Sequence, residues 1–291
     1  MTPQQYCIDK TNESGSSFLP AFHFLGKEKK MALTALYAFC REVDDIVDES
    51  NEYEISKSKL DWWSLEISRL FSGTPQHPVT KSLVNYIDKF DLNKKYFIEI
   101  IDGMEMDLNF NRYENFKQLE LYCYRVASSV GILSAKIFGF NDIKTLKYAY
   151  DLGIALQLTN IIRDLGEDAR RGRIYIPLDE LKTFDVTEAD ILNYTEGEKI
   201  KKLVIFLSER AENFYFSAIG HLPIEDKRIQ LPGLMMGNIY FVLLKKIIKN
   251  NPEKILNQRT KLPIFRKIAV AITCFMNYTW IKRERKVPNL L

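Results

Sequence analysis

The stretch CREVDDIVDE, residues 40–49, crowds Glu42, Asp44, Asp45, Asp48 and Glu49 into one short run. Like charges so close repel, and a chain with a formal net charge of only +3 has no bulk electrostatic need to concentrate carboxylates there. The surrounding MALTALYAFCREVDDIVDES repeats apolar residues at three and four and so predicts a helix. On that helix Tyr37, Arg41, Asp44 and Asp48 fall at offsets 0, 4, 7 and 11 and share one face. Asp44 and Asp48, one turn apart, destabilise a helix without a cation. With a hard dication they become a ligand pair, because Mg²⁺ takes oxygen ligands and keeps waters and phosphate in its shell. Leu33, Leu36, Val43 and Val47 lie elsewhere around the helix and suit the buried wall of a cavity. Taken alone, the segment also reads as a solvated acidic face, with Glu42 and Glu49 as solvated acids or ion-pair partners.

A second stretch, GIALQLTNIIRDLGEDARRGRIYIP (residues 153–177), repeats the geometry: Gln157, Asn160, Asp164 and Asp168 fall at offsets 0, 3, 7 and 11. Ile154, Leu158, Ile161, Ile162 and Leu165 make apolar surroundings. Asn160, Asp164 and Asp168, spaced four apart, offer three oxygen ligands along two turns. Two such helices facing each other would form an acidic cage for several Mg²⁺ ions. Arg170, Arg171 and Arg173 follow directly. Cations beside an acidic metal site suit a polyanionic ligand such as diphosphate, bridged by metal to aspartates and bound by arginine at its remaining oxygens; an exposed basic loop is the alternative for this run. The repetition makes two unrelated solvated faces the poorer account.

The elements that must position these ladders are long helices. The chain of 291 residues is 46% hydrophobic and 27% charged, with only 13 Gly and 10 Pro, an ordinary globular composition with ample core material. Apolar residues at helical spacing cover residues 29–49, 58–71, 94–108, 116–138, 143–169, 198–219, 234–248 and 264–281, and strand alternation is absent. The expectation is one all-α domain of about ten helices over residues 1–291, a bundle around an apolar cavity. Near-neutral charge gives no reason to expect nucleic acid. Four cysteines without CxxC spacing read as reduced thiols of a cytoplasmic protein. The start has neither a basic region nor an apolar run and is not read as a signal peptide. Near the C-terminus, Ile268–Met276 is too short to span a bilayer and is followed by KRERK, residues 282–286. That pair reads as a core helix with a solvated tail, or as a peripheral contact with anionic lipid at the inner face of the membrane.

The motifs SGSSF, LYAFCREVDDIVDE, YCYRVASSVG (residues 122–131) and LQLTNIIRDLGEDARRGRIYIP together resemble the squalene/phytoene synthase family of head-to-head prenyl transferases, over nearly the whole chain. The resemblance implies metal binding by Asp44, Asp48, Asn160, Asp164 and Asp168, with Asp44, Asp48, Asp164 and Asp168 essential to catalysis. It implies diphosphate contacts from Arg41, Arg173 and Tyr175, and cavity tyrosines near the reacting carbons at Tyr37 and Tyr122. Ser17 and Phe18 match a segment covering the site, Gln157 a polar residue inside the pocket, and Arg259 and Lys261, more loosely, a C-terminal basic contact. The opening MTPQQYC…GSSF and the phrase ALYAFCREVDDIVDE most resemble bacterial presqualene diphosphate synthases of hopanoid pathways, although bacterial phytoene synthases share nearly every motif. The implied reaction joins two farnesyl diphosphates with Mg²⁺ as cofactor, without NADPH at the presqualene step, and supplies the next enzymes of a squalene or hopanoid pathway. Phytoene from geranylgeranyl diphosphate, and squalene or dehydrosqualene, are the alternatives. A non-catalytic helical assembly protein is the reading from another class, and the two intact ladders argue against it.

The smaller signals carry less. His23, His77 and His221 share no metal spacing, with His77 expected at the surface in the turn TPQHP and His23 a remote candidate for the site. Asp102, Glu105 and Asp107 do not reproduce the ladder and read as surface or packing residues. Cys40 and Cys123 read as core thiols.

Overall fold

The computed structural model describes residues 1–13, 25–49 and 52–277; Ser17, Phe18, His23 and the KRERK run lie outside them. Among the described residues there is no strand. The helices are α1 (Pro3–Glu13), α2 (Lys27–Glu49), α3 (Tyr53–Phe71), α4 (Pro78–Ile87), α5 (Lys94–Asn109), α6 (Phe116–Cys123), α7 (Ser129–Phe138), α8 (Lys144–Arg170), α9 (Leu178–Thr183), α10 (Glu188–Leu192), α11 (Glu198–His221), α12 (Leu231–Lys249) and α13 (Ile264–Asn277). The long elements fall where apolar periodicity predicts them. The polar α1, which periodicity misses, packs against α2 and α4 with Cys7 buried and the Thr11 hydroxyl donating to the Cys7 carbonyl at 2.6 Å.

Two apolar clusters form the core. One gathers α2 to α5 around Phe39, which meets Trp63 and Phe97 edge-on at 5.5 and 5.4 Å. The other surrounds α8, α11 and α12, where α8 and α11 make the most extensive helix pair. Each large side chain buried this way contributes about 1.5–3 kcal/mol. Helix α7 supplies residues to both clusters, Leu133 and Ile137 to one and Ile132 and Ala135 to the other. The seam between the clusters is the cavity that concerns function. Helix α12 is long and apolar enough to cross a membrane, yet most of it is buried in the core.

The single helix predicted over 116–138 is interrupted by a π turn, Tyr124–Ser128, inside the YCYRVASS motif. Such insertions recur at functional sites. Gly153 of α8 lies against it, so closely that a Cβ there would stand 2.5 Å from the Ser128 Cα. Farther along, a Cβ on Gly166 would stand 2.0 Å from the Leu256 carbonyl oxygen. These two contacts fix the seating of the second acidic ladder.

His77 is half-buried rather than exposed. Its ring packs on Trp63 at 4.8 Å, and its Nδ1 caps α4 by accepting from the Val79 N–H at 3.2 Å. Burial lowers its pKa below the ordinary 6.5. The unfolded chain therefore binds this proton more readily, and the stability His77 confers is full above pH 6.5 and lost as pH falls. His77→Asn keeps a capping acceptor without the titration. Urea unfolding from pH 7 to 5 is expected to show a shallower decline for the variant, and equal declines would remove His77 from the account.

Candidate active site

Helices α2 and α8 both line a cavity of about 400 Å³ whose walls are mainly apolar, including Leu33, Leu36, Ile100, Met104, Leu152 and Met236. A polar basin of about 820 Å³ adjoins it. Tyr37, Arg41, Asp44, Tyr122, Gln157 and Asn160 border both spaces and form the ring where the two meet. The four aspartates of the ladders all line the basin, joined by Arg173, Tyr175, Arg259 and Lys261. All the described candidates from the sequence therefore stand around one continuous space. The flanking residues Leu36, Val43, Val47, Ile154, Leu158 and Leu165 are buried, which is why both acidic ridges face the space rather than bulk solvent.

Most of the basin's charges are paired. Arg41 binds Asp44 and Asp45; Lys10 reaches Asp45 at 2.9 Å and Glu42 at 3.4 Å, so Glu42 is an ion-pair partner. Arg171 bonds Asp48 at 3.0 Å, with Arg173 3.8 Å away. Arg163 and Arg259 share Asp164, through contacts of 2.7 and 2.8 Å. Of the basic run, Arg170 turns elsewhere and lies over the Tyr194 ring.

Burial pushes Asp44 up to about 6; Asp48 and Asp45 add to the shift, while Arg41 opposes it. The Asp44 side chain retains 40% of its surface, but that surface opens into a concave basin whose walls desolvate the charge. Burial likewise raises Asp168 to about 7, assisted by Asp164 and opposed by Arg173. Carboxylates buried and crowded in this way gain from added positive charge, which a proton or a dication can bring. The Asn160 Oδ1 is buried without a hydrogen-bond partner, on the ring between the two spaces. A metal ion fits this donor set: hard oxygens from two helices, one of them orphaned. Among the described residues no three acidic, histidine or cysteine side chains converge enough to hold an ion alone, so waters and phosphate oxygens would complete its shell, as Mg²⁺ prefers.

Four residues of the site were missed or misread in the sequence. Asp107 is a buried acid of the basin wall, accepting from the Tyr122 hydroxyl at 2.9 Å and the Tyr175 hydroxyl at 2.7 Å. The surface reading holds better for its neighbours, as Glu105 bonds Lys57 at 2.6 Å and Asp102 stands 3.6 Å from Arg125. Arg163 and Lys267 also line the basin. Cys40 borders the apolar cavity instead of a closed core; burial raises its thiol to about 12, so it stays protonated. Tyr122 and Tyr175 are pushed well above the ordinary phenol value by burial and by Asp107. Both remain un-ionised, each with its hydroxyl proton committed to Asp107.

Comparison with known proteins matches the model of the squalene/phytoene synthase family to residues 11–266. The chain is 36% identical to a phytoene synthase of Arthrospira platensis, over 91% of this chain and 89% of that protein. It is 30% identical to a 15-cis-phytoene synthase of Synechocystis sp., over 96% and 85%. The fold superposes on a ligand-bound dehydrosqualene synthase with a TM-score of 0.85 at 28% identity, covering 94% of this chain and 95% of that one. The squalene synthase HpnC of Alicyclobacillus acidocaldarius shares the fold, with a TM-score of 0.79 at 24% identity over 86% and 94%.

Proposed function

This chain belongs to the squalene/phytoene synthase family, and from that premise we propose that it condenses two farnesyl diphosphates head to head to presqualene diphosphate. One observation carries the chemistry: a basin of paired carboxylates and arginines opens through a polar ring into an apolar cavity. That shape suits a molecule with a diphosphate head and a hydrocarbon tail. The choice of farnesyl rests on the resemblance of the opening and first aspartate motif to bacterial presqualene diphosphate synthases. The likeness to a dehydrosqualene synthase, a maker of a C30 product, supports it.

Asp44 and Asp48 from α2, with Asn160, Asp164 and Asp168 from α8, would hold several Mg²⁺ ions. Bound there, Mg²⁺ supplies Lewis-acid withdrawal of charge from the departing diphosphate. Arg41, Arg171, Arg173 and Arg259 exchange carboxylate partners for phosphate oxygens, and with Lys261 they neutralise the leaving group. The apolar walls keep water from the allylic cation. Tyr122, its hydroxyl donating a hydrogen bond to Asp107, turns oxygen lone pairs rather than a donor toward the ring. When the cyclopropane closes, the proton lost from carbon passes either to released diphosphate or to the Tyr122 oxygen, whose own proton moves to Asp107. The presqualene step consumes no hydride, so no NADPH is assigned.

A second reading has its own support: the curated relatives most similar here are phytoene synthases, which favours two geranylgeranyl diphosphates. Incubation with each diphosphate and Mg²⁺, with and without NADPH, followed by product mass, separates the two. The expected product is a cyclopropyl C30 diphosphate formed without NADPH. A C40 hydrocarbon would overturn the farnesyl assignment in favour of the second reading.

A further inference from the structure

Helix α13 has no acidic residue and carries Arg266 and Lys267. Its inner side, with Cys274 only 2% exposed, packs against α12. The reading of this segment as a core helix holds for that side alone. Ile264, Phe265, Ile268, Ile272 and Met276 are 63, 70, 50, 55 and 70% exposed. At a helical turn of roughly 100° per residue they fall within an arc of about 120°, so they form one continuous stripe. Exposed apolar surface collected in this way marks an interaction site.

We propose that this stripe is a membrane-docking face, which lies in the headgroup region of a bilayer carrying anionic lipid. The charge pattern selects that occupant. From residue 259 to 286 the sequence holds eight lysines and arginines against the single acid Glu284, and anionic headgroups attract such a segment.

The position of the helix gives docking a use. Lys267 and Leu262 line the polar basin, while the stripe begins at Ile264, between them in sequence. The edge of the bilayer would therefore meet the rim of the basin, where an amphiphile can bring its head in without drawing its tail through water. This inference goes beyond the reaction assigned above and is measured without substrate, so either can fail alone.

The test is co-sedimentation of the full chain with vesicles of phosphatidylcholine containing about one-third phosphatidylglycerol, and with phosphatidylcholine alone. The expected result is binding to the anionic vesicles, weakened by salt. Phe265→Glu with Ile272→Glu is expected to lower the partition coefficient by about tenfold or more, with thermal melting showing that the fold is retained. As a second readout, Phe265→Trp is expected to shift its emission to the blue on anionic vesicles and to be quenched by brominated lipid. The proposal is overturned if the chain stays in the supernatant, or if the double variant binds as the parent does. It is equally overturned if ultracentrifugation shows a dimer that the double variant dissociates, because a second copy would then own the stripe.

Discussion

Asp164→Asn and Asp48→Asn are each expected to lower turnover by at least about a thousandfold while the fold persists. Each removes a carboxylate charge, a metal ligand on the proposed reading, from one of the two ladders that face the same basin. The loss falls on departure of diphosphate, where charge changes most. Stability should move little, because Asp48 is exposed and Asp164 is crowded by Asp168, which its charge helps to push up. Removing that charge relieves repulsion even as Arg163 and Arg259 lose a partner. Diphosphate release with saturating substrate and Mg²⁺, beside a thermal melt, gives both quantities. Turnover preserved in both variants would reject the metal-site assignment, and a collapsed melting temperature would turn the result into one about folding.

The second large effect is expected at Asp107, which on the proposed mechanism acts through Tyr122 as a positioning residue. Its two carboxylate oxygens take the hydroxyl protons of Tyr122 and Tyr175. Asparagine at that place has one accepting oxygen and one donating nitrogen, so one tyrosine must reverse its bond. Where Tyr122 reverses, it presents a proton to the cavity in place of lone pairs. Asp107→Asn should lower kcat by about a hundredfold and change KM by less than about threefold. Tyr122→Phe should resemble it. Combining the two should cost little beyond the worse single change, as expected of groups acting as a unit. Additive losses would show that Asp107 and Tyr122 act separately, and a normal kcat in Asp107→Asn would remove the clamp from the mechanism.

The ladders on α2 and α8 were legible because their spacing is local: a carboxylate's face follows from its offset along one helix. Asp107 was not legible for the opposite reason. Its importance comes from hydroxyls 15 and 68 positions away in sequence, and nothing within IIDGMEMDL announces them. The π turn at Tyr124–Ser128 was hidden as well, since one extra residue in a turn hardly disturbs apolar periodicity. Its traces are the glycines that let α8 approach, Gly153 above all. For α13 the same spacing describes a stripe facing a core and one facing outward, so only the packing around Cys274 tells which side is covered. His77 looked like a loop residue because TPQHP is turn chemistry, yet Trp63 closes over it.

Three of the four ladder aspartates already hold arginine: Asp44 with Arg41, Asp48 with Arg171, and Asp164 with Arg163 and Arg259. On the proposed reading, loading the basin would be an exchange of partners, in which the acids would release arginine to hold dications and the freed guanidinium groups would turn to phosphate. Neither component alone completes the trade, since a lone dication would strand the arginines and a lone diphosphate would strand the acids. The free energy of entry is a difference between two balanced salt lattices, and the protein avoids opening a bare pit of negative charge beside its driest wall.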